Sequence, residues 1–231
     1  MKYKRILLKL SGEAMAGRDG IGINPDSVKS IAVEIKSAYE KNIQIGIVIG
    51  AGNIWRGASK NMDRVTADQI GMIATVMNAL ALKETLQKIG VSSEVQSAFT
   101  VSNFVKKYSK DKTMEYLKDK TVVIFAGGTG NPYFTTDTTA ALRAAEIKAD
   151  VLLKATQVDG VYDDDPKKNK NAKKFKTLSF SQAISKKLKV MDTAAFSLCS
   201  DNELPIIVFN FHKKGSLSKV LSGEDIGTIV S

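Results

Sequence analysis

Apolar runs of strand length alternate along this chain with amphipathic segments of helical period, and the alternation predicts an α/β fold. Lys4 to Leu10, Ile43 to Ile49 and Thr121 to Ala126 are nearly continuous apolar runs, as parallel strands covered on both faces are. Val91 to Phe99, Asp150 to Lys154, Ile206 to Asn210 and Gly227 to Val230 read as further strands, with roughly six in one mostly parallel sheet. Asn24-Pro25 opens a helix, Asn as N-cap and Pro in the first turn. Val28, Ile31, Ala32, Ile35 and Tyr39 share its sheet-facing side. Thr66 to Ile89, closed by Gly90, is apolar almost all round. One sheet face cannot cover that much apolar surface, so an interface with another subunit is expected. Asp111–Leu117, Thr138–Ala149, Gln182–Lys189, Thr193–Asn202 and Ser216–Leu221 complete the helices. Ala14 to Ile23 carries three glycines without periodicity and reads as a loop or short hairpin; Lys167 to Lys176 reads as a charged, mobile connection. No repeat or linker divides the 231 residues, so a single domain spanning 1–231 is expected.

Composition narrows the classes. The hydrophobic share of 43% and charged share of 25% are those of a soluble globular protein. No uninterrupted apolar run approaches the ~18–20 residues that span a bilayer. Lys9 interrupts the apolar N-terminus and no small-residue cleavage site follows, so the start reads as a strand and not as a signal peptide. Cys199 is the single cysteine; it permits no internal disulfide and suits a reducing, cytoplasmic setting. The net charge of +10 raises nucleic acid or a membrane surface as partners. Only five of the 34 basic residues are arginine, and the lysines are dispersed without interleaved aromatics. They read as solvated faces that also suit a polyanionic small substrate, so neither nucleic acid nor membrane is expected.

The chemistry gathers around Gly127 to Asp137, GGTGNPYFTTD. A strand, then glycines and hydroxyls, then a helix N-terminus is an anion site, because backbone N–H groups point outward and the helix dipole favours negative charge. Lys9 ends the first strand before Ser11-Gly12, where α/β sheets bind ligands, although a surface lysine reads equally well there. Lys154 closes a later strand in the same way. The run Gly50-Ala51-Gly52-Asn53 suggests a dinucleotide loop, but Trp55 occupies the position that needs Gly or Ala. It remains a place where backbone can approach a phosphate. Arg56 and Arg64 bound a polar rim carrying fixed cations. Asp68 is either a helix-dipole carboxylate or an acceptor for a ligand's hydroxyl pair. Asp163-Asp164-Asp165 lacks the spacing of a calcium loop, and no metal-ligand set is expected. With His212 the only histidine, no catalytic triad exists, and no Walker A string occurs. Three glycine loops, two strand-end lysines and Asp137 to hold the lysines suffice for phosphoryl transfer, which needs positioning and charge neutralisation above all.

KLSGE at 9–13, GAGN at 50–53, TGNPYFTTD at 129–137, LKATQVDGVYDDDP at 153–166 and KVMD at 189–192 resemble, in order and over essentially the whole chain, the bacterial uridylate kinases of the amino acid kinase superfamily. The resemblance implies a three-layer αβα sandwich, a homohexamer, and Mg²⁺-assisted transfer from ATP to UMP in pyrimidine nucleotide biosynthesis. It implies that Lys9, Leu10, Ser11, Gly12, Gly52 and Arg56 meet the ATP phosphates, and that Thr156, Tyr162 and Asp165 frame adenosine. UMP would be held by Ala51, Asp68 and the loop Thr129, Gly130, Asn131, Pro132, Tyr133, Phe134, Thr135 and Thr136. Lys9 and Lys154 would stabilise the moving phosphoryl, organised by Asp137. Gly17, Arg18, Asp19, Gly20, Ile21 and Gly22 match a region linked to GTP activation in some members. The chain departs from the family in Ala51, where glycine is common, and in a shorter Arg56–Arg64 loop. An amino acid kinase forming an acyl phosphate, and a basic nucleic-acid-binding regulator, are the alternatives.

Overall fold

The computed structural model describes residues 1–55, 62–166, 168–186, 188 and 190–231. Its strands are β1 (Arg5–Leu10), β2 (Gln44–Ile49), β3 (Ser93–Ser97), β4 (Lys106–Lys107), β5 (Val122–Ala126), β6 (Val151–Thr156), β7 (Thr177–Leu178), β8 (Ile206–Asn210) and β9 (Thr228–Val230). They form one sheet in the order β4-β3-β5-β2-β1-β6-β8-β9-β7. All its pairs are parallel except β8 with β9. Among the described residues nine strands replace the roughly six expected. β4 and β7 are two residues each, too short for any hydrophobic period to show.

The helices are α1 (Pro25–Tyr39), α2 (Arg64–Lys88), α3 (Lys110–Lys118), α4 (Thr136–Glu146), α5 (Phe180–Ser185), α6 (Thr193–Asp201) and α7 (Ser216–Ser222). Asn24 caps α1 through its side chain and Pro25 sits in the first turn. α4 starts two residues earlier than its alanine pattern suggests, because the Thr135 hydroxyl accepts from the N–H groups of Asp137 and Thr138. α5 is shifted toward the N-terminus by a capping box between Ser179 and Gln182. The segment after β1 is a 3-10 turn, Gly12–Met15, followed by bends and not by a hairpin. Part of the expected mobile connection is paired: Tyr162 bridges Lys174, and Phe175 N–H donates to the Val161 carbonyl.

Side-chain parity along the strands builds two cores, one on each sheet face. Ile6, Leu8 and Leu10 of β1, with Ile124 of β5 and Leu153 of β6, pack toward α1, α2 and α7. Leu7, Phe125 and Leu152 point the other way, toward α4, α5 and α6. Helices, sheet and helices make the three layers. α2 is long and apolar enough by composition to cross a membrane, although no uninterrupted apolar run in the sequence is. It lies against α1, β2, β3 and β5, with Ala74, Val76, Ala79, Leu82 and Leu86 buried. Its opposite side leaves Ile73 and Met77 56% and 50% exposed.

Candidate active site

β1 and β6 lie side by side at the centre of the sheet, yet the chain leaves β1 for β2 on one side and leaves β6 for β7 and then β8 on the other. The connections thus leave in opposite directions, and the crevice beyond such strand ends is where open α/β sheets hold ligands. The register sets Lys9 directly beside Lys154. Both share parity with Leu7 and Leu152, so both face the layer that contains α4. Lys154 is not the end of its strand: Ala155 and Thr156 continue the ladder with Phe209 and Asn210.

The first turn of α4 meets these lysines. Asp137 Oδ1 lies 2.9 Å from Lys9 Nζ and Oδ2 lies 2.6 Å from Lys154 Nζ, with all three side chains largely buried. Lys154 also donates to the Val190 carbonyl. Burial pushes the Asp137 carboxyl upward, but the Lys9 and Lys154 ammonium charges outweigh it and hold the group below the ordinary value. Burial also pulls the Lys154 ammonium down, only partly offset by Asp137. Asp137 thus does not close the loop, as its place in the sequence suggests; it is the second residue of the helix. Asp192 anchors that turn, accepting from the Thr138 hydroxyl at 2.9 Å and from the Thr135 hydroxyl.

One cavity opens on the two lysines, and a second is bordered by Thr135 and Thr136, next to Asp137 in the chain. The first, about 230 Å³, is lined by Lys9, Ser11, Lys154, Thr156, Phe211 and His212 among others. Gly12, buried between the lining residues Ser11 and Glu13, sits in a backbone crossing with no room for a side chain. A Cβ there would lie 2.6 Å from each of Gly50 O, Gly52 N and Asn53 Oδ1. Leu10 is fully buried in the core, so its backbone alone can face a ligand. Thr156 donates through its hydroxyl to the Val158 and Phe209 carbonyls, fixing the end of β6. Tyr162 and Asp165 do not line this cavity. They sit on the segment that follows β6, where the Tyr162 phenol donates to Asp159 Oδ1 at 2.6 Å. Arg56 lies outside the described residues.

The second cavity, about 280 Å³, brings together Ala51, Asp68, Phe134, Thr135 and Thr136 with Trp55, Gly71 and Thr75. Asp68 lies two residues further into α2 than the sequence suggests, because Asp63 is the N-cap and Arg64 the first residue. Its Oδ2 accepts the Tyr133 N–H at 2.7 Å and lies 3.7 Å from Arg64 Nε. The Arg64 guanidinium sits 4.7 Å from the centre of the Tyr133 ring. These contacts hold Tyr133 at φ 71°, a conformation that non-glycine residues seldom adopt. Thr129, Gly130, Asn131 and Pro132 form the outer arch of the loop and do not line the cavity. Gly127, at φ 78°, lets the strand turn sharply: an added Cβ would lie 2.8 Å from the Phe99 ring. Its N–H donates to the Thr75 hydroxyl at 2.7 Å.

The sequence reading missed Trp55, Thr75, Phe211 and His212 as cavity-lining residues, and Val190 and Asp192 as anchors. Thr75 carried a usable signal, since a hydroxyl inside an otherwise apolar helix needs a partner. The segment from Gly17 to Gly22 is tied to the centre: Gly22 N–H donates to the Asn53 carbonyl at 2.7 Å.

A sheet with its central lysines bridged by a carboxylate from a helix N-terminus, beside two crevices, defines a class. The chain belongs to the amino acid kinase family, whose pattern matches residues 4–210. Within that class it is similar to the UMP kinase from Bacillus anthracis, with 38% identity and a TM-score of 0.97 over 100% of this chain and 97% of that one. It is likewise similar to the UMP kinase from Ureaplasma parvum, at 39% identity and a TM-score of 0.94 over 100% of both chains. The uridylate kinase from Archaeoglobus fulgidus aligns at 29% identity and a TM-score of 0.73 over 98% of this chain and 99% of that one.

Proposed function

We propose that this protein is a UMP kinase, moving the γ-phosphoryl group of ATP to UMP to give ADP and UDP in pyrimidine nucleotide biosynthesis in the cytoplasm. The observation that carries the reading is the Lys9–Asp137–Lys154 cluster, whose lysines border one cavity while Thr135 and Thr136, adjoining Asp137, border the other. ATP occupies the first cavity. Its phosphates lie along Lys9, the backbone of Leu10 and Gly12, Ser11 and Gly52, with Arg56 as a further cation, and Thr156, Tyr162 and Asp165 on the adenosine side. UMP occupies the second, with Ala51, Thr135 and Thr136 at its phosphate, Asp68 at the ribose, and the Thr129–Phe134 arch around the base.

The chemistry follows from charge. An acceptor phosphate oxygen attacks the γ-phosphorus in line, the bond to the β-bridging oxygen breaks, and negative charge on the equatorial oxygens is met by two preorganised ammonium groups. Asp137 keeps those cations together; each would otherwise repel the other. Among the described residues no group of three or more His, Cys, Asp or Glu could hold a metal. Asp137, engaged by two ammonium groups, is a poor ligand for a cation. Mg²⁺ would enter on the ATP phosphates, where it would neutralise phosphate charge.

A homohexamer is part of the same proposal, supported by the exposed Ile73 and Met77 on α2 and by Phe104. Light scattering on the purified protein tests it, and a monomer at micromolar concentration would refute it. Residues 17–22 are the proposed effector region, tested by titrating GTP against the rate. The function itself is tested by following ADP release from Mg-ATP with UMP, CMP, dTMP, glutamate or aspartate as acceptor. UMP should be phosphorylated in strong preference; turnover on an amino acid, or none on UMP, would overturn the reading.

A further inference from the structure

Asn78 stands on α2 amid alanine, valine, methionine and leucine and has no exposed surface, while Asn53 closes the Gly50–Asn53 loop and is 2% exposed. A buried amide is costly unless all its polar atoms are matched. These two match each other. Asn53 Nδ2 donates to Asn78 Oδ1 at 3.0 Å and Asn78 Nδ2 donates to Asn53 Oδ1 at 2.8 Å. The second proton of each amide reaches a loop carbonyl: Asn78 donates to Gly50 O at 2.8 Å, and Asn53 to Gly22 O at 2.8 Å. Four amide protons thus find four acceptors. The two carbonyls accept only, so they fix which way both amides face.

The pair lies under the crossing of the two phosphate loops. Gly50 N–H donates to the Leu10 carbonyl at 2.9 Å. The Cβ position of Gly12 is walled by Asn53 Oδ1, Gly50 O and Gly52 N, each at 2.6 Å. The loop bearing Ser11-Gly12 therefore rests on the loop bearing Gly50–Gly52, and the amide pair fixes the second loop to the rigid α2. We propose that Asn53 and Asn78 are positioning residues that set the separation of the ATP and UMP phosphate sites, an inference that rests on the assignment of those loops to the two nucleotides. Neither amide touches a nucleotide. Disturbing the pair should leave each nucleotide its contacts outside the Gly50–Asn53 loop while spoiling their mutual alignment, and a misplacement near 1 Å can cost about 100-fold in rate.

Asn78→Asp tests this at nearly constant volume, because it turns a carboxylate oxygen onto the Gly50 carbonyl. Asn78→Ser is a smaller, neutral second variant, used alone if the aspartate variant does not fold. The measurements are kcat per folded molecule, the separate Kd values of ATP and UMP by calorimetry, and the Kd of an adenosine–uridine oligophosphate that spans both sites. Expected is a fall in kcat of roughly 30- to 100-fold and a loss of tenfold or more for the spanning probe, with each mononucleotide Kd within about threefold of the parent. A kcat within threefold of the parent in the folded variant would overturn the inference. So would mononucleotide affinities that fall in parallel with kcat, the mark of a merely structural role. If the parent chain itself fails to turn over UMP, the functional assignment falls first and takes this inference with it.

Discussion

Replacing Asp137 by Asn keeps shape and removes one charge from between two buried ammonium groups. At 2.6–2.9 Å and an effective dielectric constant near 20, each ion pair is worth about 6 kcal/mol of gross attraction. Desolvation of the three groups offsets most of that, at several kcal/mol per ion. With the carboxylate gone, Lys154 relieves the strain by losing its proton, and the cost is bounded by that route. An unfolded lysine titrates near 10.5, so holding Lys154 neutral costs about 1.36 kcal/mol for each pH unit below that value. At pH 7 the bound is about 4.8 kcal/mol, within the 3–5 kcal/mol typical of an orphaned buried charge. Because the folded Lys154 value lies below the unfolded one, the unfolded state binds the extra proton in the window between them. Stability therefore recovers as pH rises toward 10.5, and the bound shrinks to about 2 kcal/mol at about pH 9. At roughly 2–4 °C per kcal/mol for a chain of this size, Tm should fall by about 6–20 °C at pH 7 and by clearly less near pH 9. Scanning calorimetry of Asp137→Asn beside the parent at both pH values reads this directly. The same variant should lose about 100- to 1000-fold in kcat. A Tm within 2 °C of the parent, or a deficit that grows with pH, would refute the electrostatic account of the cluster.

Three further outcomes follow from the geometry. Gly12→Ala should abolish turnover or prevent folding, because its methyl group would meet two backbone atoms at 2.6 Å; a soluble variant with more than a tenth of parental kcat would contradict the tight crossing. Asp68→Asn should raise the KM for UMP by about tenfold with a smaller effect on kcat, since a hydrogen bond to a charged group is worth roughly 1.5–3 kcal/mol; an unchanged KM would remove Asp68 from the UMP site. Acid titration gives the third: the folded Asp137 carboxyl titrates below its ordinary 3.8, so its stabilisation is complete above that value and is lost as pH falls through the folded one. Urea unfolding of the parent below pH 3.8 should thus show an extra loss of stability that Asp137→Asn lacks, and identical acid limbs would contradict it.

Much of this molecule was legible in the sequence because its central strands are buried on both faces. Continuous runs such as IQIGIVI admit little but a parallel strand between helical layers. What escaped was local or distant. β4 and β7 have two residues each and no period, and the start of α4 is decided by the Thr135 cap, which a composition window places two residues late. Lys9 read equally well as a surface residue until register and parity set it beside Lys154 and under Asp137. The role of Asp192 depends on a contact across 54 residues, which no local pattern encodes. Asn78 did leave a trace, an amide inside an apolar helix, but its partner becomes visible only when β2 delivers Asn53 beneath α2.

In the proposed enzyme one buried carboxylate holds two lysines between an ATP crevice and a UMP crevice. The most direct test of this is the steady-state rate of ADP release from Mg-ATP by the purified full chain across a panel of acceptors, UMP, CMP, dTMP, glutamate and aspartate. Expected is saturable turnover with UMP at a kcat/KM at least about 100-fold above every other acceptor. Equal use of the nucleotides, transfer to an amino acid, or no UMP-dependent release would contradict it.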